Sequence, residues 1–274
     1  MIKNLLSKNK SIATIDCNNI NKGYVISSFN NPTDGKCIIQ ICKRDSGILT
    51  LSPTHKQNFL VPGDGTLKTI PLCFGNGFYT LKALQQSSEN RYDTVLSFHK
   101  CITITNPLSP YLYSNTYCEY TDDSLCIKKA KELRGNKTND IEIITTMYRW
   151  IIDNLEYDYE LAIKVSTTDM SWWLPNPDKA IQKGKGICWE YASLFAAMLR
   201  SQGIPCKICV GHYGSIYHAW NEFYSRASGS IVGIPIKANE WTRIDVTYLD
   251  SKKESDQIVK AIQDDSNYTI EYLG

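Results

Sequence analysis

The chain changes character near residue 107. From about Gly23 to Thr105, short β-type runs such as YVISSF, CIIQICK and YDTVLSF alternate with the turn sequences NNPTDG, VPGDG and FGNG. After Pro110, apolar residues recur at steps of three and four, which is typical of helices. Strands followed by helices favour an α+β chain of two modules. We predict an all-β sandwich over 1–118 and an α+β domain over 119–274, which suits 274 residues, since one domain has roughly 150.

The second module is predicted to contain three helices and then a sheet. The spacing predicts helices over 122–134 and 141–155, and an apolar helix that begins at Cys188 and is closed by Gly203. The segment between residues 157 and 185 is predicted to be an irregular loop. The later segments CKICVGHY, IYHAWNEFY and WTRIDVTYL are typical of strands.

Cys188 is the first residue of the predicted apolar helix and follows the sequence GKGI. Unpaired backbone N–H groups and the helix dipole favour an anion at such a position. A thiolate is the nucleophilic form of cysteine, and helix N-termini are known to favour it. A small buried thiol is the alternative interpretation of this position.

His218 and Asp245 lie in two of the predicted strands. His218 shares a strand face with Trp220, and Asp245 is expected to share one with Arg243. His212 is a rival histidine, although its neighbouring glycines suggest a turn. Taken one at a time, these residues are explained by packing or by surface pairing.

Together with the helix-start cysteine, they supply what thiol catalysis needs: a nucleophile, a base, and an acceptor that orients the base. The blocks GKGICWEYASLFAAMLRSQGIP, YHAWNEF and WTRIDVTY resemble, in this order, the core of the transglutaminase-like superfamily over about residues 120–250. The resemblance implies a papain-like α+β fold with Cys188 as nucleophile, His218 as general base and acid, and Asp245 orienting the imidazole. Papain-type proteases use Asn as the third residue, so Asp245 favours the transglutaminase-like branch.

The first module resembles the N-terminal β-sandwich of bacterial secreted or surface members of this superfamily. The passages PLCFGNGFYTLKAL and PLSPYLYSN carry this resemblance. It implies a binding or positioning role for residues 1–118. Shielding of part of the catalytic domain is the alternative.

An oxyanion formed during acyl transfer would need hydrogen-bond donors. The backbone N–H of Cys188 is one candidate. The indole or phenol groups that are candidates for a second donor, or for lining the cleft, are Trp172, Trp173, Tyr157, Trp189 and Trp220. A role in covering the core is the alternative for each of these aromatic residues.

The expected activity is acyl transfer on peptide or isopeptide amides through a thioester. Water as the acceptor gives a protease or amidase, which we favour, and a lysine amine gives a protein cross-linking transglutaminase. The expected partner is therefore a protein or peptide substrate. A non-catalytic surface binding or adhesion protein that retains the fold is the alternative from another class.

Composition and motifs argue against other classes. The 30 Lys and Arg against 28 Asp and Glu give a charge of +2 without a basic run, so no nucleic-acid partner is expected. Residues 184–186 lack phosphate-loop spacing, Cys206 and Cys209 have no second pair for zinc, and no EF-hand loop is present, so neither cofactor nor metal is expected.

No run of 18 apolar residues predicts membrane insertion. No signal peptide is visible at the N-terminus. The expected location is the cytoplasm if the chain is full length, and outside the cell or on its surface if a leader was trimmed. Oligomeric state is not predicted by any feature of the sequence.

Overall fold

The computed structural model describes residues 2–5, 11–33, 35–47, 52–168, 173–252 and 255–274. The chain divides into two compact units, Met1–Pro110 and Tyr111–Gly274. The boundary predicted after residue 118 lies further along the chain. Unit 1 consists mainly of strands, and unit 2 combines helices with strands. The predicted α+β class with an all-β N-terminal region is therefore confirmed.

Unit 1 contains two antiparallel four-stranded sheets within its described residues. The strands of the first are, in spatial order, β1 (Ile2–Leu5), β2 (Ile12–Asp16), β3 (Tyr24–Asn30) and β6 (Lys68–Pro71). Those of the second are β5 (His55–Val61), β4 (Cys37–Arg44), β7 (Gly77–Ser88) and β8 (Arg91–Ile102). Burial alternates along β2 and β3, as expected for strands with one face in a core. The packing of the two sheets as a sandwich stays a prediction.

Unit 2 is the mixed part of the chain. Its described helices are α1 (Leu125–Arg134), α2 (Asp140–Asn154), α3 (Tyr159–Thr167), α4 (Pro177–Lys183), α5 (Cys188–Ser201), α6 (Val246–Lys252) and α7 (Asp256–Gln263). Its described strands are β9 (Glu156–Tyr157), β10 (Lys185–Gly186), β11 (Cys206–Tyr213), β12 (Ile216–Ser225), β13 (Gly229–Ile231), β14 (Ile234–Ile236), β15 (Glu240–Ile244) and β16 (Tyr268–Leu273). Within the described ranges, no helix is long and apolar enough to cross a membrane.

The three predicted helices are present as α1, α2 and α5. Helix α1 begins later than predicted, because residues 121–124 form a turn in which the Ser124 N–H donates to the Thr121 carbonyl oxygen at 3.1 Å. The prediction of an irregular loop between residues 157 and 185 was partly wrong. Helices α3 and α4 form there, since Asp158 and Asn176 cap their N-termini with side-chain oxygens.

Helix α5 lies at the centre of unit 2. Every residue from Glu190 to Arg200 is buried. A helix without an exposed polar stripe fits only the interior of a domain, and α5 packs against α1, α2, α4 and the strand β12. Gly203, with a φ of +80°, adopts the left-handed conformation after the helix and lets the chain turn back into β11.

The sheet of unit 2 that packs beside α5 has the antiparallel order β15-β12-β11-β16. Strand β16, which was not predicted, supplies one edge of it. The prediction that Asp245 lies within a strand was wrong. Strand β15 ends at Ile244, and Asp245 precedes α6 because its Oδ1 accepts the backbone N–H of Tyr248 at 3.0 Å, as a helix-capping residue does.

A substitution at Gly211 tests how closely β11 and β16 approach. Gly211 is opposite His218 on β12 and Ile270 on β16, and a Cβ there would collide with the backbone carbonyl of Thr269. We expect Gly211→Ala to lower the free energy of unfolding by about 1–3 kcal/mol in urea denaturation, because backbone atoms must move.

Gly229→Ala is the matched control, since a Cβ there would meet only the movable side chain of Ile141, at 3.2 Å. Its stability should change less than that of Gly211→Ala. Equal losses in the two variants would show that the close approach of β16 is not a constraint.

Candidate active site

Cys188 is the first residue of α5 and is partly exposed. The segment before it is held in place on two sides. Strand β10 pairs in parallel with β9, with Gly186 opposite Tyr157. The Glu190 carboxylate accepts the backbone N–H of Ile187 at 3.0 Å, which fixes the residue next to the thiol. A Cβ on Gly186 would lie 2.6 Å from Glu190 Cβ, so only glycine allows this approach.

His218 contacts both other candidate catalytic residues. Its Nε2 lies 2.7 Å from Oδ2 of Asp245, and its ring also shares a hydrogen bond with Cys188. Because Nε2 faces Asp245, Nδ1 is the ring nitrogen left for the thiol. Burial acts to lower the pKa of His218, but the Asp245 carboxylate and the two hydrogen bonds raise it to about 10. The imidazole is therefore protonated at neutral pH.

Asp245 is almost completely buried, with 1% of its surface exposed. A buried carboxylate requires donors to replace water. Three donors surround it: Nε2 of His218 at 2.7 Å and the hydroxyl of Tyr268 at 3.0 Å reach Oδ2, and the backbone N–H of Tyr248 reaches Oδ1. The acceptor of the site is thus fixed by three separate elements, β12, α6 and β16.

Tyr268 was missed by the sequence analysis. The alternating segment YTIEYL is a strand signal that could have predicted β16, but no local pattern indicates that its first side chain reaches Asp245. Because its hydroxyl donates to a buried carboxylate, the pKa of Tyr268 is raised well above its ordinary range, first by burial and then by the charge of Asp245.

Trp220 packs next to the imidazole ring of His218. Its ring stacks near that of His218, with centroids 6.2 Å apart and an interplanar angle of 20°, and its centroid lies 4.8 Å from that of Tyr268. Only 1% of Trp220 is exposed. The residue therefore supports the histidine ring from the interior and does not line an open cleft.

Tyr157, Trp173 and Trp189 are the remaining aromatic candidates that the structure describes, and they lie on β9, before α4 and on α5. Tyr157 is near enough that burial, and then the charge of Cys188, raise its pKa to about 12. Trp189 packs edge-on against Trp173, with ring centroids 5.7 Å apart. The Nε1 of Trp189 is buried without a hydrogen-bond partner among the described residues. Trp172 lies outside the described residues.

Two further residues lie near the site, one that was not predicted and one that was considered as a rival to His218. Tyr217, which was not predicted, is 55% exposed on β12, and its pKa is raised to about 12 by burial and by charges that include that of Cys188. The rival His212 lies with its Nδ1 3.4 Å from Glu271 on the neighbouring strand. His218, and not His212, is therefore the histidine that meets Asp245.

Cysteine, histidine and carboxylate side chains can also act as metal ligands, and cysteines can form disulfides. In the part of the chain that the structure describes, no three His, Cys, Asp or Glu side chains are grouped as a metal site requires. All ten cysteines are described and none is in a disulfide. Burial raises the pKa of the Cys206 thiol to about 12 and shifts that of Cys209 in the same direction, as expected for unreactive interior thiols.

The hydroxyl of Tyr268 offers a direct test of this geometry. Tyr268→Phe keeps the ring packed against Trp220 and removes only the donor to the Asp245 carboxylate. We expect a loss of about 1.5–3 kcal/mol in the free energy of unfolding, measured in urea, because the bond goes to a charged group.

Tyr213→Phe is the control, because that hydroxyl donates to the neutral hydroxyl of Tyr248 at 3.2 Å. It should cost about 0.5–1.5 kcal/mol. If the two variants lost the same free energy of unfolding, the hydrogen bond to the Asp245 carboxylate would be no stronger than a bond between neutral groups.

Comparison with known proteins gives a family likeness for part of the chain. Residues 127–246, from within α1 to the first residue of α6, match the family model described as "Transglutaminase-like superfamily". UPF0252 protein MJ1282 of Methanocaldococcus jannaschii is 32% identical over 84 residues, which are 28% of this chain and 24% of that protein. The match thus spans about a quarter of the length of that curated relative.

Solved structures give a weaker likeness. A crystal structure described as a candidate cysteine protease from Cytophaga hutchinsonii has a TM-score of 0.41 at 19% identity, covering 90% of this chain and 70% of that chain. Red sea bream transglutaminase has a TM-score of 0.32 at 13% identity, with 85% of this chain and 49% of that chain covered. These scores are low, so the assignment depends on the family model. The matched segment lies within unit 2 and contains Cys188, His218 and Asp245. Over residues 127–246 the chain is therefore similar to the transglutaminase-like superfamily.

Proposed function

We propose that this protein catalyses cysteine-dependent acyl transfer on peptide or isopeptide amides, with water as the acceptor. The observation that carries this proposal is the hydrogen bond of 2.7 Å between His218 Nε2 and the buried Asp245 carboxylate. The same imidazole ring is also hydrogen-bonded to Cys188. A packed structural histidine would not need a helix-start thiol on one nitrogen and a desolvated carboxylate on the other.

In the first half of the reaction, the proton of Cys188 resides on His218, and the thiolate Sγ attacks the carbonyl carbon of the amide. The tetrahedral intermediate collapses as the C–N bond breaks, and the imidazolium gives its proton to the leaving nitrogen. The products are a free amine and a thioester on Sγ.

In the second half, neutral His218 takes a proton from water, and the hydroxide formed attacks the thioester carbonyl. The C–S bond then breaks, the acid leaves, and the proton on the imidazole restores the ion pair with the thiolate. Protons and electron pairs balance over the cycle, so no cofactor is required. Asp245 keeps the same tautomer and ring orientation of His218 through both halves.

The oxyanion of each tetrahedral intermediate needs donors close to Sγ. The backbone N–H of Cys188, at the N-terminus of α5, is suitable because the first N–H groups of a helix have no intrahelical acceptor. The phenol of Tyr157 is the candidate for the second donor, since the charge of Cys188 acts on its pKa.

The reactivity of Cys188 towards iodoacetamide tests the proposed ion pair. The raised pKa of His218 keeps the imidazolium in place at neutral pH, and a neighbouring cation favours the thiolate. Labelling of Cys188 at pH 6.5 should therefore be fast in the wild type and fall about 100-fold in His218→Ala.

Cys101, an exposed thiol of unit 1, provides an internal reference in the same sample. Peptide mapping by mass spectrometry measures both rates, and that of Cys101 should be the same in the wild type and in His218→Ala. If Cys188 reacted as Cys101 does in the wild type, the catalytic proposal would fail, and a binding role for the fold would be favoured.

The acceptor is tested by incubating the protein with a peptide library and a labelled primary amine. We expect peptide cleavage without incorporation of the amine, and neither product with Cys188→Ala. Incorporation of the amine at the rate of cleavage or faster would replace hydrolysis by cross-linking, because the same thioester serves both outcomes.

A further inference from the structure

The second sheet of unit 1 concentrates positive charge. Its four strands carry a single carboxylate, Asp93, which lies 3.7 Å from Arg91. The cations of the same strands are Lys43, Arg44, Lys56, Lys82, Arg91 and Lys100. The net charge of the whole chain is only +2, so this excess belongs to one sheet and is offset by acids elsewhere in the chain.

Three of these cations converge on one face. Cys42 on β4 is opposite Lys56 on β5 and Thr80 on β7, and these three residues form one row across the sheet. Arg44 is two residues after Cys42 on β4, and Lys82 is two residues after Thr80 on β7. Since side chains two residues apart on a strand share a face, all of them lie on the same side of the sheet. Burial raises the pKa of the Cys42 thiol, and the charges of Lys82, Arg44 and Lys56 each act to lower it. The three cations therefore lie around a single point of the sheet.

Neutral hydrogen-bonding side chains also lie on this face. Gln40 donates to the Asn58 side chain at 3.0 Å. Arg44 donates to the Thr80 hydroxyl at 2.8 Å, and this hydroxyl lies 2.9 Å from His99 Nδ1, so the row crosses β4, β7 and β8. Asn58 and His99 are exposed to solvent.

A cavity of about 220 Å³ opens at the Arg44 end of the face. Its lining includes Arg44, His99, Lys100 and Phe78. Phe78 is 40% exposed and is therefore accessible to a ligand. An apolar ring beside cations and hydrogen-bonding groups suits a ligand that has both a ring face and anionic substituents.

We infer that this cationic face, defined by Arg44, Lys56, Lys82, Asn58 and His99, binds an acidic polysaccharide. Uronate carboxylates would pair with the three cations, sugar hydroxyls would bond to Asn58 and His99, and one ring would stack on Phe78. Single-stranded nucleic acid fits less well, because successive bases need several stacking rings, and among the described residues this face exposes one large aromatic ring.

The test uses the full-length Cys188→Ala protein, so that binding is measured apart from the proposed catalysis. Polygalacturonate is the probe and neutral dextran its uncharged counterpart, with affinity measured by calorimetry. We expect polygalacturonate to bind, dextran not to bind, and Lys56→Gln/Lys82→Gln to weaken binding by roughly tenfold or more. Rising salt should weaken the wild-type interaction, because exposed charges are screened.

Lys128→Gln/Lys131→Gln is the matched control, since it removes the same charge from exposed positions on α1 in unit 2 and should leave binding unchanged. Lys56→Gln alone, at an exposed position, tests the face if the double variant is destabilised. Absence of polygalacturonate binding, equal binding of dextran, unchanged affinity in both face variants, or tighter binding of single-stranded DNA or polyglutamate would each overturn the inference.

Discussion

Burial of helix α5 from Glu190 to Arg200 is the constraint from which the geometry of the site follows. A helix without an exposed face must find partners for its terminal polar groups inside the protein. At one end, Glu190 accepts the N–H of Ile187. At the other, the backbone N–H groups of Gly203 and Ile204 donate to the carbonyl oxygens of Arg200 and Leu199. The buried guanidinium of Arg200 ties the helix to other segments by donating to the backbone carbonyl oxygens of Tyr113, Cys206 and Gly274. Cys188 is therefore fixed by packing along the whole helix, and a nucleophile that loses little freedom on reaction is preorganised for attack.

Desolvation of Asp245 links the stability of the sheet to its chemistry. An unpaired carboxylate at this depth would cost several kcal/mol, so the buried state requires donors from β12, α6 and β16 together. The same desolvation strengthens the action of the carboxylate on His218, whose pKa rises to about 10. The arrangement that keeps the imidazole protonated in the free protein at neutral pH thus depends on the C-terminal strand, although that strand contributes no catalytic side chain.

The predictions from sequence succeeded where local pattern and tertiary structure agree. The apolar run that begins at Cys188 is too long and too uniform for anything but a central helix, so α5 was predicted with its first residue correct. Asp245 was assigned to a strand because its neighbours alternate, whereas its side chain caps α6, a tertiary choice that alternation does not encode. Tyr268 was missed for a related reason, since the contact between it and Asp245 joins residues 23 positions apart.

The cationic face is a second feature that depends on contacts between distant segments and that the sequence analysis therefore missed. Positive and negative charges along the chain are nearly balanced, and no nucleic-acid partner was expected because no basic run is present. Strand pairing changes this picture, since neighbouring strands lie about 4.8 Å apart and bring Arg44, Lys56 and Lys82 together from segments separated by turns. These exposed charges are screened by salt, whereas the buried pair of His218 and Asp245 is screened much less. Raising the ionic strength should therefore weaken ligand binding by unit 1 much more than it affects the chemistry of unit 2, in the same wild-type protein.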